Sequence, residues 1–530
     1  MTRKDDLRLA NLEALRELIS ASQGPRQVIA ITNGGDGPIV AERLQGVAQE
    51  IFRADGSTHV FAHEERTRRG QLLGLLDAQQ AVQAQGFKPE GVALGIMLPG
   101  KGTRLSPLTQ RLHGIKPFLP MLIRRQAASP WLSGASASLF SWALVAHHLE
   151  SMGFSGVAWK WGDEPQIPAL DLGALGLDLS HTDALRFGCE ITITEDLARN
   201  KEWLLRDAES AELKLQVRRR SRSELLSRFE LADTPKAKAL VHIGSPALSY
   251  VFLEEAQRTF GEMKGWLDVD GYLFEALTHE EDAWQAEAAR DPGLRKLLDE
   301  RPDFYEKVRE LKARLEQRRG RALSIKVIDF GAGLYWGDIG QLAKARDGYL
   351  QLLDVGPEGS FARQLAAVAE STRDPQGNLV IGECRVPMDG SVRDSLIIES
   401  VIEGTAQIEG SVIVDSRLQG VQATRAVAFE CTCHDLALDQ GAFAFRAVGD
   451  AIKVAAEHVL TTLPVDPTDL EQGLEHLIWD SRKDPGTPEA YEEAHAPNRL
   501  SFAEKFAQMR QREVTPDAIE AAIDARYRTL

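Results

Sequence analysis

A short apolar run that ends abruptly in a glycine-rich, basic turn constrains this chain more than any other feature. The run, residues 92–98, has the length and composition of a buried parallel strand rather than of a helix. Gly100 and Gly102 then allow the backbone to turn tightly and to present its N–H groups to an anion. Arg104 and Lys116 add positive charge near the turn. The stretch therefore predicts a phosphate-binding turn at the end of a strand.

The residues after the run extend this turn into a longer motif. They read Gly-Lys-Gly-Thr-Arg-Leu at 100–105, Ser-Pro-Leu-Thr at 106–109 and Lys-Pro at 116–117. This order closely resembles the signature of the sugar-1-phosphate nucleotidylyltransferases, G-x-G-T-R-L-x-P-L-T followed by K-P. The resemblance implies that the turn wraps a nucleoside triphosphate, that Arg104 and Lys116 bind phosphates in catalysis, and that two aspartates hold Mg²⁺.

The resemblance also assigns the binding residues. The turn residues expected against the nucleotide are Leu98, Pro99, Gly100, Lys101, Gly102, Thr103 and Arg104. Lys116 is expected at the sugar phosphate together with Gly244, which lies in a stretch similar to the family's sugar-lining segment. Pro99 departs from the family, because a small residue usually precedes the Gly-x-Gly. Arg104 and Lys116 are 12 positions apart, slightly more than is common, which bears on the reach of the lysine.

Two aspartates are the candidate metal ligands. Asp163 follows the predicted strand 156–161 in a Gly-Asp turn. Asp338 lies in Trp-Gly-Asp-Ile-Gly at 336–340, which resembles the late W-x-D-x-G motif of the family. Carboxylate oxygens are hard ligands that suit Mg²⁺. The alternative for Asp338 is a turn or N-cap aspartate ahead of the next helix, a position that aspartate favours.

Alternating strand and helix patterns predict a doubly wound, Rossmann-like α/β domain with a mostly parallel sheet. Strands are expected at 28–32, 58–62, 92–98 and 156–161. In relatives, the units that here precede the signature follow it. We therefore hypothesise a permuted order in which residues 26–90 supply strands of the same sheet, and in which backbone near 98–100, Gln71 and Gly74 line the base pocket. The alternative is a separate N-terminal cap.

Residues 379–435 change in character. Apolar residues recur every six positions at Val386, Val392 and Ile398, and again at Ile402, Ile408 and Val414. Such a period predicts a short left-handed parallel β-helix of hexapeptide turns. Several relatives use such a module to assemble, and ladder edges are natural association surfaces, so we expect a homo-oligomer. The predicted domains are an N-terminal helix at 1–25, the nucleotidyltransferase domain at 26–355, the β-helix at 376–447 and a helical C-terminal segment at 448–530.

Composition excludes several classes of protein. A chain of 530 residues exceeds one hydrophobic core, and 43% apolar with 26% charged residues is ordinary for a globular protein. A net charge of −16 gives no reason to bind nucleic acid, and the arginines at 218–220, 222 and 228 are interpreted as a solvated face. No apolar run approaches the roughly 20 residues of a membrane span, and the charged N-terminal helix does not resemble a signal peptide. We therefore expect a cytoplasmic protein that does not bind membranes.

Other candidate chemistry is weaker. Cys431-Thr432-Cys433-His434 lacks the second pair of ligands that a zinc site needs, so these cysteines are interpreted as small buried residues. His147 and His148 lie inside a predicted helix and are interpreted as packing or solvent-facing residues. No Ser-His-Asp or Cys-His constellation competes with the signature.

These features predict a Mg²⁺-dependent nucleotidyltransferase that joins an NTP to a sugar 1-phosphate, giving a nucleoside-diphosphate sugar and pyrophosphate. Such a transfer needs charge to be neutralised and oxygens to be held in line, which metal, arginine and lysine provide. The alternative is a non-catalytic, nucleotide-binding regulatory or scaffolding subunit of the same fold, which Pro99 and the unusual order of units favour. The retained aspartates argue against that alternative.

Overall fold

The computed structural model describes residues 3–52, 58–65, 67, 69–87, 90–112, 114–244, 246–263, 265, 272–368, 373–387, 391–510, 518, 521, 523 and 525. The chain divides into two compact units. Unit 1 comprises Met1–Pro99 and Ser138–Trp336, and unit 2 comprises Gly100–Ala137 and Gly337–Leu530. Most of the signature therefore belongs to the same unit as the C-terminal part of the chain.

Helices and strands alternate in the first half of the chain, and strands dominate the second. The helices are α1 Arg3–Ser20, α2 Gly37–Ile51, α3 Gly70–Ala84, α4 Leu108–Arg111, α5 Gly134–Ser151, α6 Glu195–Asn200, α7 Arg222–Arg228, α8 Tyr250–Phe260, α9 Phe274–Thr278, α10 Glu281–Arg290, α11 Pro292–Glu300, α12 Phe304–Arg319, α13 Leu342–Leu350, α14 Pro357–Leu365, α15 Pro488–Glu492 and α16 Phe502–Met509. The strands up to residue 336 are β1 Gln27–Asn33, β2 His59–Glu65, β3 Val92–Met97, β4 Gly156–Trp161, β5 Gln166–Ile167, β6 Ala184–Thr192, β7 Glu202–Arg206, β8 Leu213–Arg218, β9 Lys238–His242, β10 Ala247–Ser249, β11 Ile325–Asp329 and β12 Tyr335–Trp336. The later strands are β13 Leu379–Ile381, β14 Val392–Arg393, β15 Leu396–Ile398, β16 Val401–Ile402, β17 Ala406–Glu409, β18 Val412–Val414, β19 Arg417–Thr424, β20 Val427–Phe429, β21 Thr432–Leu438, β22 Phe443–Phe445, β23 Val448–Val454, β24 His458–Asp466 and β25 Asp469–Asp480.

Unit 1 is built on one large mixed sheet. Its strand order is β2-β1-β3-β4-β10-β6-β9-β7-β8, with β11 paired to β6. The four strands from β2 to β4 are parallel, whereas β10 runs antiparallel to both of its neighbours. The expectation of an α/β fold with parallel strands is thus confirmed. The other half of the sheet is mixed: the β6–β9, β9–β7 and β7–β8 pairs are antiparallel, whereas β11 pairs with β6 in parallel.

The strand order shows whether residues 26–90 supply strands to the sheet that contains β3. Strand β1 pairs in parallel with β2 on one side and with β3 on the other, with Val28 opposite Leu94. This is the arrangement that the permutation hypothesis requires. The alternative of a separate N-terminal cap is wrong, because β1 and β2 complete the sheet that contains the strand before the signature.

Close packing explains why β3 is so strictly apolar. All six of its residues are buried. Gly95 lies opposite Trp159 of β4, and a Cβ at Gly95 would lie 2.1 Å from a carbon of that indole ring. Glycine therefore makes room for a large aromatic ring within the sheet.

In unit 2, most of the later strands alternate between two sheets. One has the order β13-β15-β18-β20-β22-β24-β25, and the other has the order β14-β17-β19-β21-β23. All of these pairs are parallel except β24–β25, which is consistent with the predicted parallel β-helix. Leu396 pairs with Val412, Val412 with Val427, and Val427 with Phe443. The chain therefore returns to the same sheet after 16, 15 and 16 residues, which is not the 18 residues of three hexapeptides.

Left-handed residues form the corners that set this repeat. Positive φ angles occur before the three-residue strands β15, β18, β20 and β22, at Asp394, Gly410, Arg425 and Gly441, and after them, at Glu399, Asp415, Glu430 and Arg446. A small buried residue follows each corner, and in the first two turns it is a serine. The spacing of the corners, rather than of the apolar residues, bends the chain back on itself.

The prediction of helix from residue 448 onward is wrong for 448–480. This part forms strands β23 to β25, because β-branched residues such as Val459 and Thr461 pair with β22 and are buried. Cross-strand pairing overrides the helix propensity of the Ala, Lys and Glu residues in this part of the chain. Helices do follow at α15 and α16, whereas the helix predicted after residue 515 lies largely outside the described residues.

The prediction that the arginines at 218–220, 222 and 228 form a solvated face is wrong for Arg218 and Arg220, whereas Arg219 is exposed. Arg218 and Arg220 are each 9% exposed. Arg220 and Arg228 both pair with the buried carboxylate of Glu287 on α10. A buried guanidinium requires such a partner. The local sequence could not reveal it, because α10 lies about sixty residues further along the chain.

Cys431 and Cys433 belong to a hydrophobic core, in agreement with their interpretation as small buried residues. Cys431 and Cys433 are buried, and burial raises the pKa of the Cys431 thiol to about 12, so the thiol stays protonated. Cys384 accepts a hydrogen bond from the Ser400 amide. Across the described part of the chain, no helix is long and apolar enough to cross a membrane.

Candidate functional site

The signature turn in unit 2 folds tightly on itself. Gly102 has φ +61, and a Cβ there would lie 2.7 Å from Thr109 Cγ2 and 2.9 Å from Lys116 Cβ. The Thr109 hydroxyl donates to the Gly102 carbonyl at 3.1 Å. A 3-10 turn follows at Thr103–Leu105. Glycine is thus required at position 102 both by the backbone conformation and by the close approach of Thr109 and Lys116.

Asp338 lies beside this turn in the same unit. The Gly340 amide donates to its Oδ1 at 2.7 Å, and Lys344 Nζ lies 2.5 Å from its Oδ2. A Cβ at Gly340 would lie 3.6 Å from Lys116 Nζ and 2.8 Å from Asp338 Oδ1. The structure therefore brings together Gly102, Lys116 and Asp338, which are far apart in sequence. Lys344 was missed by the sequence analysis.

The carboxyl group of Asp338 is held in its ionised form. Burial acts to raise its pKa, but the hydrogen bonds from Lys344 and from the Gly340 amide, together with the charges of Lys344 and Lys116, outweigh burial. The pKa of Asp338 therefore lies below its ordinary value. Asp338 is therefore an ionised carboxylate that interacts with two lysines, Lys344 and Lys116.

The C-terminal segment of unit 2 packs against the turn. A Cβ at Gly486 would lie 3.0 Å from Thr103 Oγ1 and 3.1 Å from Arg104 Cγ. The ring of Phe506 on α16 lies against Gly114, with Lys101 Nζ 5.9 Å from the ring centre. Lys101 and Arg104 are exposed, Gly100 and Lys116 half-buried. The local sequence near residue 485 did not indicate that Gly486 lies beside Arg104.

The other predicted residues belong to unit 1. Leu98 and Pro99 follow β3, and the Leu98 amide donates to the Ile31 carbonyl. Asp163 follows the neighbouring strand β4 and is 9% exposed, and the preceding Gly162 amide donates to the Met97 carbonyl. Strands β3 and β4 therefore bring Leu98 and Asp163 to the same edge of the sheet, as predicted for the carboxyl ends of parallel strands.

Gly244 lies over an aromatic and acidic cluster in unit 1. It has φ +75, and a Cβ there would lie 3.4 Å from the Trp161 indole and 4.0 Å from Glu164 Oε2. Trp336 Nε1 donates to Glu164 Oε2 at 3.3 Å. The sequence had proposed Gly244 alone. The two tryptophans and Glu164 were missed because three separate segments supply the cluster.

Two lysines accompany this cluster. Lys160 Nζ lies 3.9 Å from Glu164 Oε2 and is almost fully buried. Lys201 Nζ lies 5.0 Å from the centre of the Trp336 ring. Aromatic walls with a few convergent charged groups are typical of small-molecule sites.

The residues suggested for the base pocket lie on α3. Gln71 is fully buried, and a Cβ at Gly74 would lie 2.5 Å from Glu65 Oε1. The Glu65 carboxyl group at the end of β2 therefore occupies the space that a side chain at position 74 would need. Glycine at 74 lets an acidic group approach the helix closely.

The described residues include candidate ligands for the Mg²⁺ ion that the family resemblance implies. Among the described residues, no group of three or more His, Cys, Asp or Glu side chains could hold a metal. Protein sites for Mg²⁺ commonly use one or two carboxylates and leave the remaining positions to water and substrate phosphates. Asp338 is ionised, and its oxygens each retain acceptor capacity beyond the contacts with Lys344 and Gly340. Asp338 therefore fits a magnesium ion that arrives with a phosphate substrate.

Comparisons with known proteins add little to this geometry. A scan against protein families finds no match, and a search of curated proteins finds none. Among solved structures, the chain is similar to HddC from Yersinia pseudotuberculosis complexed with GMP-PN, at 10% identity over 64% of this chain and 83% of that chain. The TM-score is 0.26, and at that value the similarity carries no argument about fold or function.

Proposed function

We propose that this protein is a nucleotidyltransferase that joins an NTP to a sugar 1-phosphate or a similar phosphate and releases pyrophosphate. One observation carries the proposal. Lys116 and Asp338 are 222 positions apart in the sequence, yet they lie close together beside Gly102, at the turn that resembles a nucleotidyltransferase signature. A chance match to the signature would give no reason for the late Trp-x-Asp-x-Gly motif to pack against it.

The chemistry asks the protein for positioning and charge rather than for covalent participation. An oxygen of the acceptor phosphate attacks the α-phosphorus, the bond to the bridging oxygen breaks, and its electron pair leaves with pyrophosphate. The attacking oxygen is already ionised near neutral pH, so no general base is needed. In this proposal Arg104 grips phosphate oxygens with its planar guanidinium group, and Lys116 meets the charge on the reacting phosphates.

Residues of unit 1 have separate roles in the proposal. Leu98 and Pro99 would contact the nucleotide, and Gln71 and Gly74 would contribute to base recognition. Gly244, with Trp161 and the cluster around it, would take the sugar. These assignments rest on the sequence motif and on the local surroundings of each residue.

Asp338 would hold the magnesium ion in this proposal, with Asp163 as the second carboxylate assigned by sequence. When bound, the ion would neutralise phosphate charge and orient the triphosphate. Lys116 and Lys344 neutralise part of the same charge from the protein side. The negative Asp338 keeps the two lysines oriented before any substrate arrives.

A second candidate function is favoured by the contact between Asp338 and Lys344. The ammonium group of Lys344 already supplies Asp338 with the positive charge that a metal would supply. A non-catalytic subunit that binds nucleotide and regulates or scaffolds a partner would need no more than this. That function predicts nucleotide binding that does not depend on Mg²⁺.

A pyrophosphate-release assay separates the two functions. The common NTPs are offered with a panel of sugar 1-phosphates in the presence of Mg²⁺, and nucleotide binding is measured in parallel by calorimetry. The proposed enzyme releases pyrophosphate with one pair, Lys116→Ala loses that activity, and Lys453→Ala, an exposed lysine in the same unit, keeps it. NTP binding without pyrophosphate release across the panel would replace the enzyme by the second candidate.

A further inference from the structure

A cavity of about 330 Å³ opens in unit 1. Four arginines contribute to its lining, namely Arg218, Arg219, Arg220 and Arg290, together with Tyr272 and Asp291. The lining combines the end of the edge strand β8 with the junction of α10 and α11. Its size is that of a site for a small ligand.

Arg218 is fixed in place beside the cavity. Its guanidinium group stacks on the Tyr272 ring at 4.2 Å from the ring centre, and its Nε lies 3.0 Å from Glu202 Oε1. Its Nη1 is buried and makes no hydrogen bond to any residue that the structure describes. An unmet buried donor of a charged group is costly, so an anionic ligand that accepts from it would gain free energy.

The cluster has more positive charge than its acidic partners balance. Arg220 and Arg228 share the single carboxylate of Glu287. Burial raises the pKa of Glu275 to about 7, so this neighbour of Arg218 does not supply a full negative charge near neutral pH. The cavity lining itself has four arginines and one carboxylate, that of Asp291, and this excess of positive charge favours an anion.

Two further arginines are accessible at the cavity. Arg219 is exposed and has φ +45, a left-handed conformation that non-glycine residues rarely adopt. The Arg290 side chain is 62% exposed, and its nearest acidic group, Glu224, is 3.8 Å away and itself exposed. An exposed ion pair of this kind contributes little free energy, so Glu224 binds Arg290 only weakly. Arg219 and Arg290 are therefore available to a ligand.

The cavity is separate from the edge of the sheet that bears Asp163. Strand β8 is five strand positions from β4 in the sheet order. At about 4.8 Å between neighbouring strands, the separation is about 24 Å along the sheet. A ligand in this cavity would therefore not contact Leu98 or Asp163.

We propose that this cavity binds a phosphate-bearing small molecule through the guanidinium groups of Arg218, Arg219 and Arg290. Guanidinium forks match the oxygens of a phosphoryl group and form strong, charge-assisted hydrogen bonds with it. A carboxylate has fewer oxygens and only one charge, so it would leave more of the arginine donors unmet. The ligand is either free inorganic phosphate or the phosphoryl group of an organic phosphate.

Calorimetry on the full-length Lys116→Ala variant tests this proposal, because that background weakens the phosphate site assigned to the signature turn. Inorganic phosphate, glycerol 3-phosphate and acetate are titrated in turn, with glycerol as the uncharged control. Adding Arg219→Ala and Arg290→Ala is expected to weaken phosphoryl binding at least tenfold. Both side chains are exposed, so the buried ion pairs remain and thermal unfolding is expected to stay unchanged. Arg295→Ala, an exposed arginine on α11, is the matched control.

Each outcome decides the proposal. Tighter binding of glycerol 3-phosphate than of phosphate identifies an organic phosphate, and equal binding identifies the phosphoryl group alone as the ligand. The proposal is overturned if no phosphoryl compound binds, if the double arginine substitution leaves its affinity unchanged, or if acetate binds as tightly as phosphate. These results hold whether or not the protein proves to be a nucleotidyltransferase, since no catalytic activity is measured.

Discussion

Lys344 Nζ lies 2.5 Å from Asp338 Oδ2. Lys344 is in the first turn of α13, the helix that follows the Trp-x-Asp-x-Gly motif containing the aspartate. Lys116 acts on the same carboxylate from the signature turn. One negative group is thus held by two positive ones from different segments. Any cation that binds Asp338 must share it with Lys344, so this lysine should affect metal binding more than nucleotide binding.

Replacement of Lys344 should therefore ease metal binding in the proposed enzyme. We expect Lys344→Ala to lower the Mg²⁺ concentration for half-maximal activity severalfold, since a partly exposed ion pair contributes up to about 1 kcal/mol. Activity titrated against Mg²⁺ measures the effect, with Lys453→Ala as control. A Lys344→Ala protein that needs more Mg²⁺ than the wild type would show that the lysine assists the metal instead of competing with it.

The two aspartates should each be needed for metal-dependent activity. Asp163→Asn and Asp338→Asn keep the side-chain shape but remove the charge that a hard cation requires. We expect each substitution to lower kcat/KM by at least a hundredfold (about 2.7 kcal/mol) while circular dichroism shows a folded protein. Full activity in either variant would remove that residue from the metal site.

Gly102 offers a test of the turn itself. Gly102 and Gly176 have nearly the same φ angle, +61 and +58, but a Cβ at Gly176 would meet nothing within 4 Å. We expect Gly176→Ala to cost about 1 kcal/mol from its left-handed conformation alone. Gly102→Ala should cost more and also weaken NTP binding, because its Cβ would push against Thr109 and Lys116. Equal unfolding midpoints and unchanged NTP affinity would contradict this view of the turn.

Glu275 should make part of the stability of unit 1 depend on pH. Burial raises its pKa from 4.5 to about 7, so between these values the folded state holds a proton that the unfolded state has lost. Its contribution therefore falls as the pH rises from about 4.5 to about 7. We expect Glu275→Gln to reduce the loss of unfolding free energy between pH 5 and pH 8 by on the order of 2 kcal/mol. Urea denaturation at both pH values measures it, and Glu280→Gln, an exposed neighbour, should change nothing.

The sequence predicted those parts of the fold whose signal is local. The run before the signature is a buried strand because it is continuously apolar and ends at glycine, and both facts are visible in the sequence. Only some of the residues around Asp338 could be predicted from the sequence. Lys116 belongs to a motif, whereas Lys344 is a plain lysine whose role arises from the packing of one helix. Gly486 approaches Arg104 only through tertiary structure.

The repeat of the later strands shows a different limit. The apolar spacing of six was real, but a turn takes 15 or 16 residues because left-handed corners such as Glu399 and Asp415 set its length. These residues carry a Cβ, so their positive φ angles have no marker in the sequence as a glycine would give. Self-association through this region stays a prediction, measurable by sedimentation of the full chain.

Buried serines next to these left-handed corners should contribute strongly to the stability of the parallel strands of unit 2. The Ser411 hydroxyl accepts from the Ala426 amide at 3.1 Å and donates to the Glu409 carbonyl, and its own amide donates to the Ser395 hydroxyl. Ser411→Ala removes the acceptor and leaves the buried Ala426 amide without it, which should cost about 1 to 3 kcal/mol.

Cysteine at the same position provides the matched variant. The other series of corners has the same pattern of hydrogen bonds from one turn to the next. There, the Cys384 thiol accepts a hydrogen bond from the Ser400 amide at 3.4 Å, so sulfur already serves as the acceptor at an equivalent position. Ser411→Cys should therefore destabilise unit 2 less than Ser411→Ala does, even though the thiol is the larger group. Urea denaturation of both variants under reducing conditions measures the difference. If the two substitutions cost the same, the hydroxyl at position 411 acts through packing, and the hydrogen-bonded column does not hold successive turns together.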